Sequence, residues 1–386
     1  MDHADQRGGA RKRPLLQPVR RRDEEGEHRP RPEGARRAGR ERPAGVRRAR
    51  RAGEVGARTS LSLREDLAEA FLRQADACEK SGSRLYAEVC RRLAEDSSVG
   101  EIVGDVRWDM PIRILGGLHY LALSDGIDPW SAPHEVVAQH RDWLERFVAE
   151  HDVQTNEVQR CFALLPAFLE LARAGGRRLD LLELGPSAGL NLLFDRYGYR
   201  YRNGIWGPAD AAVVLAGEER GAVPGQLLAV EADIGRRQGV DLNPVDVTTD
   251  EGVRLLTSFV WADQWHRLER LRRAIAVLRA DPPELIRGDY VELLPQLLAD
   301  RDPDGLTVVF QTASTLYLDR ERYDQVRTTL RDAARAAPLG WISMQRWDEE
   351  DEAGDGPPLE VALWPERDVR VVARMGPHGE WLDYFG

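Results

Sequence analysis

The sequence is poor in cysteine and almost devoid of lysine. Its three cysteines, Cys78, Cys90 and Cys161, lack C-x-x-C spacing, which argues against a disulfide framework or a zinc site, and we expect no metal. Of the 55 basic residues, all but Lys12 and Lys80 are arginine. We attribute this skew to a GC-rich genome rather than to a nucleic-acid-binding surface.

Long apolar runs are also missing. No stretch approaches the roughly 18 apolar residues that a membrane-spanning helix needs. The basic run at residues 20–22 is followed by acidic residues instead of an apolar segment, so it does not predict an export signal. We therefore expect a cytoplasmic protein without a membrane partner.

Residues 1–58 contain no Phe, Trp or Tyr, and hold 18 basic and 9 acidic residues. Such a segment buries too little apolar area to offset the entropy of ordering, so we predict a disordered basic tail. One alternative is a basic arm that binds RNA or an acidic partner. The other is translated sequence that precedes the true start. Because the whole chain has a net charge of −10, the remainder is strongly acidic, which argues against a nucleic-acid partner.

Two folded parts follow the tail. Apolar residues recur with helical spacing over residues 59–176, which predicts an all-helical domain. From residue 177 to residue 386, short apolar runs alternate with helical patterns, which predicts an α/β, doubly wound, Rossmann-like sheet. Aromatic alternation ending in Asn203-Gly204 predicts a hairpin-like insertion at about residues 197–236.

The chain is organised around residues 179–191. An apolar run has the length of a strand buried on both faces, small residues follow, and a helical pattern resumes at Leu192. Strand, small-residue bend and helix in that order suit a nucleotide-type ligand, because the ligand can approach the backbone and the helix N-terminus.

Three interpretations compete for this bend. A dinucleotide fingerprint would require glycines at 185, 187 and 190, but the last two are Ser187 and Leu190. A hydrolase nucleophile elbow, G-x-S-x-G, fits Gly185, Ser187 and Gly189. The acidic-x-G-x-G-x-G loop of class I S-adenosylmethionine methyltransferases fits the same residues after Glu183, with one glycine replaced by serine.

Polar residues also follow three later strand patterns. Asp241 ends a short strand and suits the hydroxyls of a ribose, since an ionised carboxylate only accepts hydrogen bonds. Asp289 follows the next strand and either accepts from an adenine amine or caps a helix. Gln311 and Thr312 end a fourth strand, and open α/β sheets bind ligands at such ends.

Four motifs together support a family resemblance: residues 181–192, 153–158, 239–244 and 287–289. Over roughly residues 60–386, the chain resembles an uncharacterised domain-of-unknown-function family frequent in actinobacteria. That family is similar to class I S-adenosylmethionine-dependent methyltransferases, so the resemblance implies S-adenosylmethionine as cofactor. It implies cofactor contacts from Glu183, Gly185, Gly189, Asp241 and Asp289, to which we add Ser187 and Asn191 of the same stretch.

The sequence thus predicts an S-adenosylmethionine-dependent methyltransferase acting on an unknown small molecule. Methyl transfer depends mainly on orientation, so a catalytic triad is not required. Our candidates for assisting the reaction are Glu157, Gln311, Thr312 and Tyr317.

Two alternatives remain open. A serine hydrolase would use Ser187 with a downstream histidine, and only His266 and His378 follow it. A non-catalytic nucleotide-binding or interaction module would keep the fold without the chemistry.

Overall fold

The computed structural model describes residues 60–96, 99–102, 107–176, 178–344 and 356–386. The tail predicted over residues 1–58 lies outside the described residues. None of the helices in these ranges is both long and apolar enough to cross a membrane.

The first elements are helices. Apolar side chains at helical spacing give these helices apolar faces, which meet in a cluster containing Phe71, Tyr86 and Ile114. Five helices supply most of this cluster: α1 (Ser60–Lys80), α2 (Arg84–Glu95), α3 (Met110–Asp125), α4 (Pro133–Gln139) and α5 (Arg141–Glu150). The sixth, α6 (Arg160–Gly175), packs its apolar residues on the sheet instead.

Strands and helices are interspersed in the rest of the described chain. In chain order, the elements up to residue 280 are β1 (Leu179–Leu184), β2 (Gly198–Tyr201), β3 (Gly204–Trp206), β4 (Val214–Ala216), β5 (Glu218–Gly221), α7 (Gly225–Leu228), β6 (Ile234–Asp241), α8 (Asp250–Ser258) and α9 (Trp265–Ala280). They continue with β7 (Glu284–Arg287), α10 (Tyr290–Ala299), β8 (Leu306–Thr312), α11 (Arg320–Ala333), β9 (Leu339–Met344), β10 (Pro358–Trp364), β11 (Arg367–Met375) and β12 (Trp381–Tyr384).

Nine strands form one sheet in the order β5-β12-β11-β10-β9-β8-β1-β6-β7. The five strands from β9 to β7 in this order run parallel. Strands β10, β11 and β12 are joined in antiparallel pairs, and β5 pairs parallel with β12. The structure confirms the α/β class of the predicted fold, with a sheet that is large and mostly parallel.

Strand β1 is buried on both faces because helices cover each side of the sheet. Leu181 packs in a cluster with residues of α6 and α9. Leu182, its neighbour, points to the other face and packs in a cluster with residues of α10 and α11. A continuous apolar strand is what such double coverage requires.

The segment 197–236 adds a small sheet of order β3-β2-β4. Strands β2 and β3 are an antiparallel pair joined by the two-residue turn Arg202-Asn203, and Gly204, expected in the turn, is the first residue of β3 and pairs with Tyr201. Strand β5, which follows in the same segment, pairs with the edge of the large sheet.

Candidate functional site

The carboxyl edge of the parallel strands brings most of the sequence-predicted residues together. The bend (residues 185–189) follows β1, Asp241 ends β6, Asp289 follows β7 and Thr312 ends β8. Gly185 N donates to Val240 O at 2.9 Å, and Gly288 N donates to Asp241 O at 2.9 Å. Adjacent strand ends are therefore tied into one continuous surface.

Backbone strain is concentrated at this edge. Among the described residues, Ser187 (φ 55°) and Ala313 (φ 95°) are the non-glycine residues with positive φ. They follow β1 and β8, which are neighbours in the sheet. Residues held in this sparsely populated region recur at ligand sites, where surrounding contacts maintain them.

The bend packs tightly against its neighbours. Gly185 (φ 70°) has no room for a side chain, because a Cβ would lie 2.4 Å from the Cβ of Ser314. At Gly189, a Cβ would lie 2.9 Å from Pro283 Cγ and 3.2 Å from a methyl group of Leu285. Protein atoms thus fill the space that a side chain at 189 would need, so packing and a φ of 83° require this glycine.

The backbone donors of the bend are largely engaged within the protein. Ser187 N donates to Asp241 Oδ2 at 2.9 Å, and Leu190 N donates to Asn156 Oδ1 at 3.1 Å. Gly189 N donates to Pro186 O at 2.8 Å. A phosphate cradle requires such groups to point at the ligand, so this bend is not arranged for pyrophosphate.

The helix expected after the bend is a kinked 3₁₀ helix, Leu190–Arg196. Two buried tyrosines explain the difference. The Tyr197 hydroxyl donates to Leu190 O at 2.7 Å and the Tyr199 hydroxyl donates to Phe194 O at 2.7 Å. The two carbonyls belong to the first residue and to the last turn of the 3₁₀ helix. Because the tyrosine hydroxyls already satisfy them, an α-helix would add fewer new hydrogen bonds here.

Residues 151–160, which we call the crossing segment, span the carboxyl edge of the sheet. Gln154 accepts the Ser187 hydroxyl hydrogen bond at 2.6 Å and donates to Asn243 O at 3.3 Å. Asn243 Nδ2 in turn donates to Asp152 Oδ2 at 3.2 Å. Sequence analysis missed Gln154, although it lies in a motif that we had singled out.

Asp241 lies at the centre of these contacts. Its Oδ2 accepts from Ser187 N and its Oδ1 accepts from Asn243 N, each at 2.9 Å. Burial raises the pKa of this carboxyl, and hydrogen bonds from those two amides oppose the rise. The carboxyl group is thus fixed against the backbone of the bend.

Glu157, a predicted catalytic candidate, is held in an ion-pair network. It accepts from Arg267 Nε at 2.6 Å and from Arg270 Nη2 at 3.1 Å. Burial alone would raise the pKa of Glu157, but the guanidinium groups of Arg267 and Arg270 lower it to about 2. A carboxylate this stable is poorly suited to accept a proton near neutral pH.

Glu183 is equally buried, with the opposite electrostatic balance. Burial raises its pKa to about 8, although a hydrogen bond from Asn191 opposes the rise. Asn191 Nδ2 donates to Glu183 Oε1 at 3.4 Å. Glu183 Oε2 has no hydrogen-bond partner among the described residues, so this carboxyl group can still accept or donate one bond.

Arg160 is a site residue that sequence analysis missed. It is only 7% exposed, and its guanidinium donates to Pro377 O at 2.9 Å and to Thr312 O at 2.8 Å. No carboxylate of the described residues forms an ion pair with it, although it interacts electrostatically with Glu157 and, more weakly, with Glu183. The signal was available as the arginine that ends the crossing segment and begins α6.

The remaining catalytic candidates differ in their access to ligand. Gln311 is fully buried, donates to Ser343 Oγ and Met344 O at 2.7 Å each, and accepts from Ala313 N at 2.8 Å. Its polar atoms are thereby committed to the turn after β8. Tyr317 is 44% exposed and packs against Trp108 with ring centroids 5.4 Å apart.

Asp289 is the N-cap of α10. Its Oδ1 accepts from Val291 N at 2.9 Å, and its other oxygen pairs with Arg322. Of the two roles considered from sequence, the structure contains the helix cap. A contact with an adenine amine stays a prediction.

Comparison with known proteins gives one family. No curated protein matches the chain. Residues 68–384, most of the chain, match the bacterial family described as "Uncharacterized protein conserved in bacteria (DUF2332)". These residues include the crossing segment, the bend and every strand of the large sheet. The chain therefore belongs to this family of uncharacterised bacterial proteins.

Proposed function

We propose that the protein is an S-adenosylmethionine-dependent methyltransferase with a Rossmann-like fold, acting on a small molecule. The order of its parallel strands supports the fold. Numbered by their appearance along the chain, they run 3-2-1-4-5 across the sheet. In such sheets the ligand crevice lies at the carboxyl edge where the strand order reverses, which here is beside β1.

The observation that carries the proposal is the position of Asp241 against the bend. Each carboxylate oxygen accepts one backbone N–H and keeps a second lone pair. Two oxygens at the end of the second parallel strand suit the two hydroxyls of a ribose. Because the bend itself offers few free N–H groups, an adenosine without a phosphate chain suits this edge better than a dinucleotide does.

Arg160 and Glu183 support the assignment of the same edge to the amino-acid end of the cofactor. Arg160 is a buried cation without a carboxylate partner among the described residues, and Glu183 has an unpartnered oxygen. A methionine moiety carries a carboxylate and an ammonium group, which are complementary to these two side chains. The cofactor, when bound, would supply an activated methyl group.

The residues around the acceptor would act by orientation and by excluding water. Thr312 lies beside Arg160, and Tyr317 with Trp108 forms an exposed aromatic pair. Glu157 is too strongly stabilised as a carboxylate to serve as general base. We therefore assign acceptor contacts to Thr312 and Tyr317, and a structural role to Glu157 and Gln311.

The hydrolase alternative receives less support from the geometry. The Ser187 hydroxyl donates to the side-chain amide of Gln154, and an amide does not act as a general base. Burial, together with Arg267 and Arg160, lowers the pKa of His378 to about 3. An imidazole so resistant to protonation is a weak base for activating a serine.

Calorimetric titration of the full chain with S-adenosylmethionine and S-adenosylhomocysteine tests the proposal. We expect binding that Asp241→Ala weakens at least about tenfold, because a charged hydrogen-bond acceptor is lost. Asp302→Ala, which removes a half-exposed carboxylate from the loop before β8, is the matched control. Absence of binding together with Ser187 labelling by a fluorophosphonate would support the hydrolase, and absence of both signals would support a non-catalytic module.

A further inference from the structure

A pocket lies at the opposite, amino edge of the same sheet. It has a volume of about 340 Å³ and is surrounded by the beginnings of β1, β6 and β8 and by the end of α10. Small-molecule sites begin at about this size. Its lining includes Asp180, Gln238, Arg301 and Thr307, none of which belongs to the site described above.

Three residues that line the pocket each hold one buried polar atom that has no partner among the described residues. These atoms are Gln238 Nε2, Thr307 Oγ1 and Arg301 Nη1. Gln238 is 4% exposed and Thr307 is 6% exposed. Buried polar atoms are nearly always hydrogen-bonded, so three such atoms in residues that line one pocket indicate a missing partner. All three atoms can donate, so a partner that supplies acceptors suits them together.

The pocket lining holds three arginines and three aspartates. Asp180 and Asp302 are both paired with Arg178, and Asp300 accepts a hydrogen bond from Gln296 Nε2. Arg301 donates through Nη2 to Ala333 O at 2.6 Å and Ala337 O at 3.0 Å. Within the described residues no carboxylate forms an ion pair with Arg301, so its guanidinium is the group of this lining that suits an anion.

The register of the sheet sets a minimum size for the ligand. Gln238 pairs with Leu182 and Thr307 pairs with Asp180, so the two donors flank β1 on the same face with an offset of two residues. With strands about 4.8 Å apart and about 3.3 Å per residue, their Cα atoms are roughly 12 Å apart. A single phosphate or carboxylate group cannot reach both donors.

We propose that this pocket binds a small organic anion that carries a second oxygen acceptor, such as a dicarboxylate or a sugar phosphate. Arg301 pairs with the anionic group, and Thr307 and Gln238 donate to the remaining oxygens. The proposal does not depend on methyl transfer, because no residue of the carboxyl edge takes part. A bound ligand would link β1, β6 and β8 to the end of α10 and so stabilise the folded state.

Thermal unfolding of the full chain in succinate, citrate and glucose 6-phosphate tests the proposal, with sodium chloride at matched ionic strength as reference. We expect at least one of these anions, at about 10 mM, to raise Tm by about 2 °C or more over chloride, and inorganic phosphate to do less. Arg301→Met should remove the difference. Arg335→Met, which changes an exposed arginine paired with Asp332, should keep it.

Thr307→Val provides a second arm that does not rely on the arginine. Valine keeps the shape of threonine and removes an unpartnered hydroxyl, so the unliganded variant should melt at a higher temperature than the wild type. Its Tm should nevertheless respond less to the anion that stabilises the wild type. Tm changes that match chloride for all three anions, or an unchanged response in both Arg301→Met and Thr307→Val, would overturn the proposal.

Discussion

The two edges of the large sheet treat their polar groups differently. At the carboxyl edge, the crossing segment supplies partners for the bend, while Arg160 has no carboxylate partner and Glu183 Oε2 has no hydrogen-bond partner among the described residues. At the amino edge, the unpartnered atoms of the residues that line the pocket can all donate. The two edges therefore leave different types of polar group without a partner.

The largest expected effect comes from breaking the charge network that holds the crossing segment. Arg267→Met leaves Glu157, buried and ionised, with Arg270 alone. We expect a loss of about 3 kcal/mol in the free energy of unfolding, measured by urea denaturation. Arg272→Met removes an exposed pair with Glu269 and should leave the urea midpoint nearly unchanged. Equal midpoints for the two variants would show that the network does not hold this edge.

Glu183 and Glu157 should make the free energy of unfolding depend on pH with opposite signs. The pKa of Glu183 is raised from 4.5 to about 8, so the folded state binds a proton that the unfolded state has released. Stability should therefore fall as the pH rises between these values, by about 3 kcal/mol from about pH 5 to about pH 7. Glu157, with a pKa lowered to about 2, acts only below this window, where its contribution is lost as the pH falls.

Glu183→Gln separates this effect from other titrations. The glutamine cannot ionise, so the fall attributed to Glu183 should disappear from urea-denaturation curves recorded across the window. The variant should also be more stable than the wild type near neutral pH. A wild type and variant with parallel pH profiles would contradict the assignment of a raised pKa to Glu183.

Removing one hydroxyl at each edge, from a residue in or just after β8, should change stability by a smaller amount and with opposite signs. The Ser314 hydroxyl, at the carboxyl edge, donates to Leu184 O at 2.6 Å, so Ser314→Ala should destabilise the fold by about 1 kcal/mol. Thr307, at the amino edge, has an unpartnered hydroxyl, so Thr307→Val should stabilise the unliganded protein by a similar amount. Changes of the same sign would remove the distinction between the edges.

The sheet was predictable from sequence because strands buried on both faces are continuous apolar runs. Residues 179–184 and 306–310 were recognised in this way, and both lie in central strands. The bend was recognised from its small residues. The 3₁₀ helix was not, because the hydroxyls that satisfy its carbonyls come from Tyr197 and Tyr199 in the following β-segment.

The site was only partly predictable because its electrostatics arise from distant residues. Glu157 is a candidate catalytic base by its sequence position, but it pairs with Arg267, which is far away along the chain. Arg160 is one of many arginines in the sequence, and only its burial without a carboxylate partner distinguishes it. Such pairing cannot be inferred from local patterns.

Hydrogen exchange of the full chain with and without S-adenosylhomocysteine tests the central claim most directly. Three backbone amides at the carboxyl edge donate to side chains there: Ser187 N and Asn243 N to Asp241, and Leu190 N to Asn156. We predict that saturating ligand slows their exchange and leaves the amide of Arg236, bonded to Asp180 at the amino edge, unchanged. Unaltered exchange at the carboxyl edge, or protection confined to the amino edge, would contradict the account.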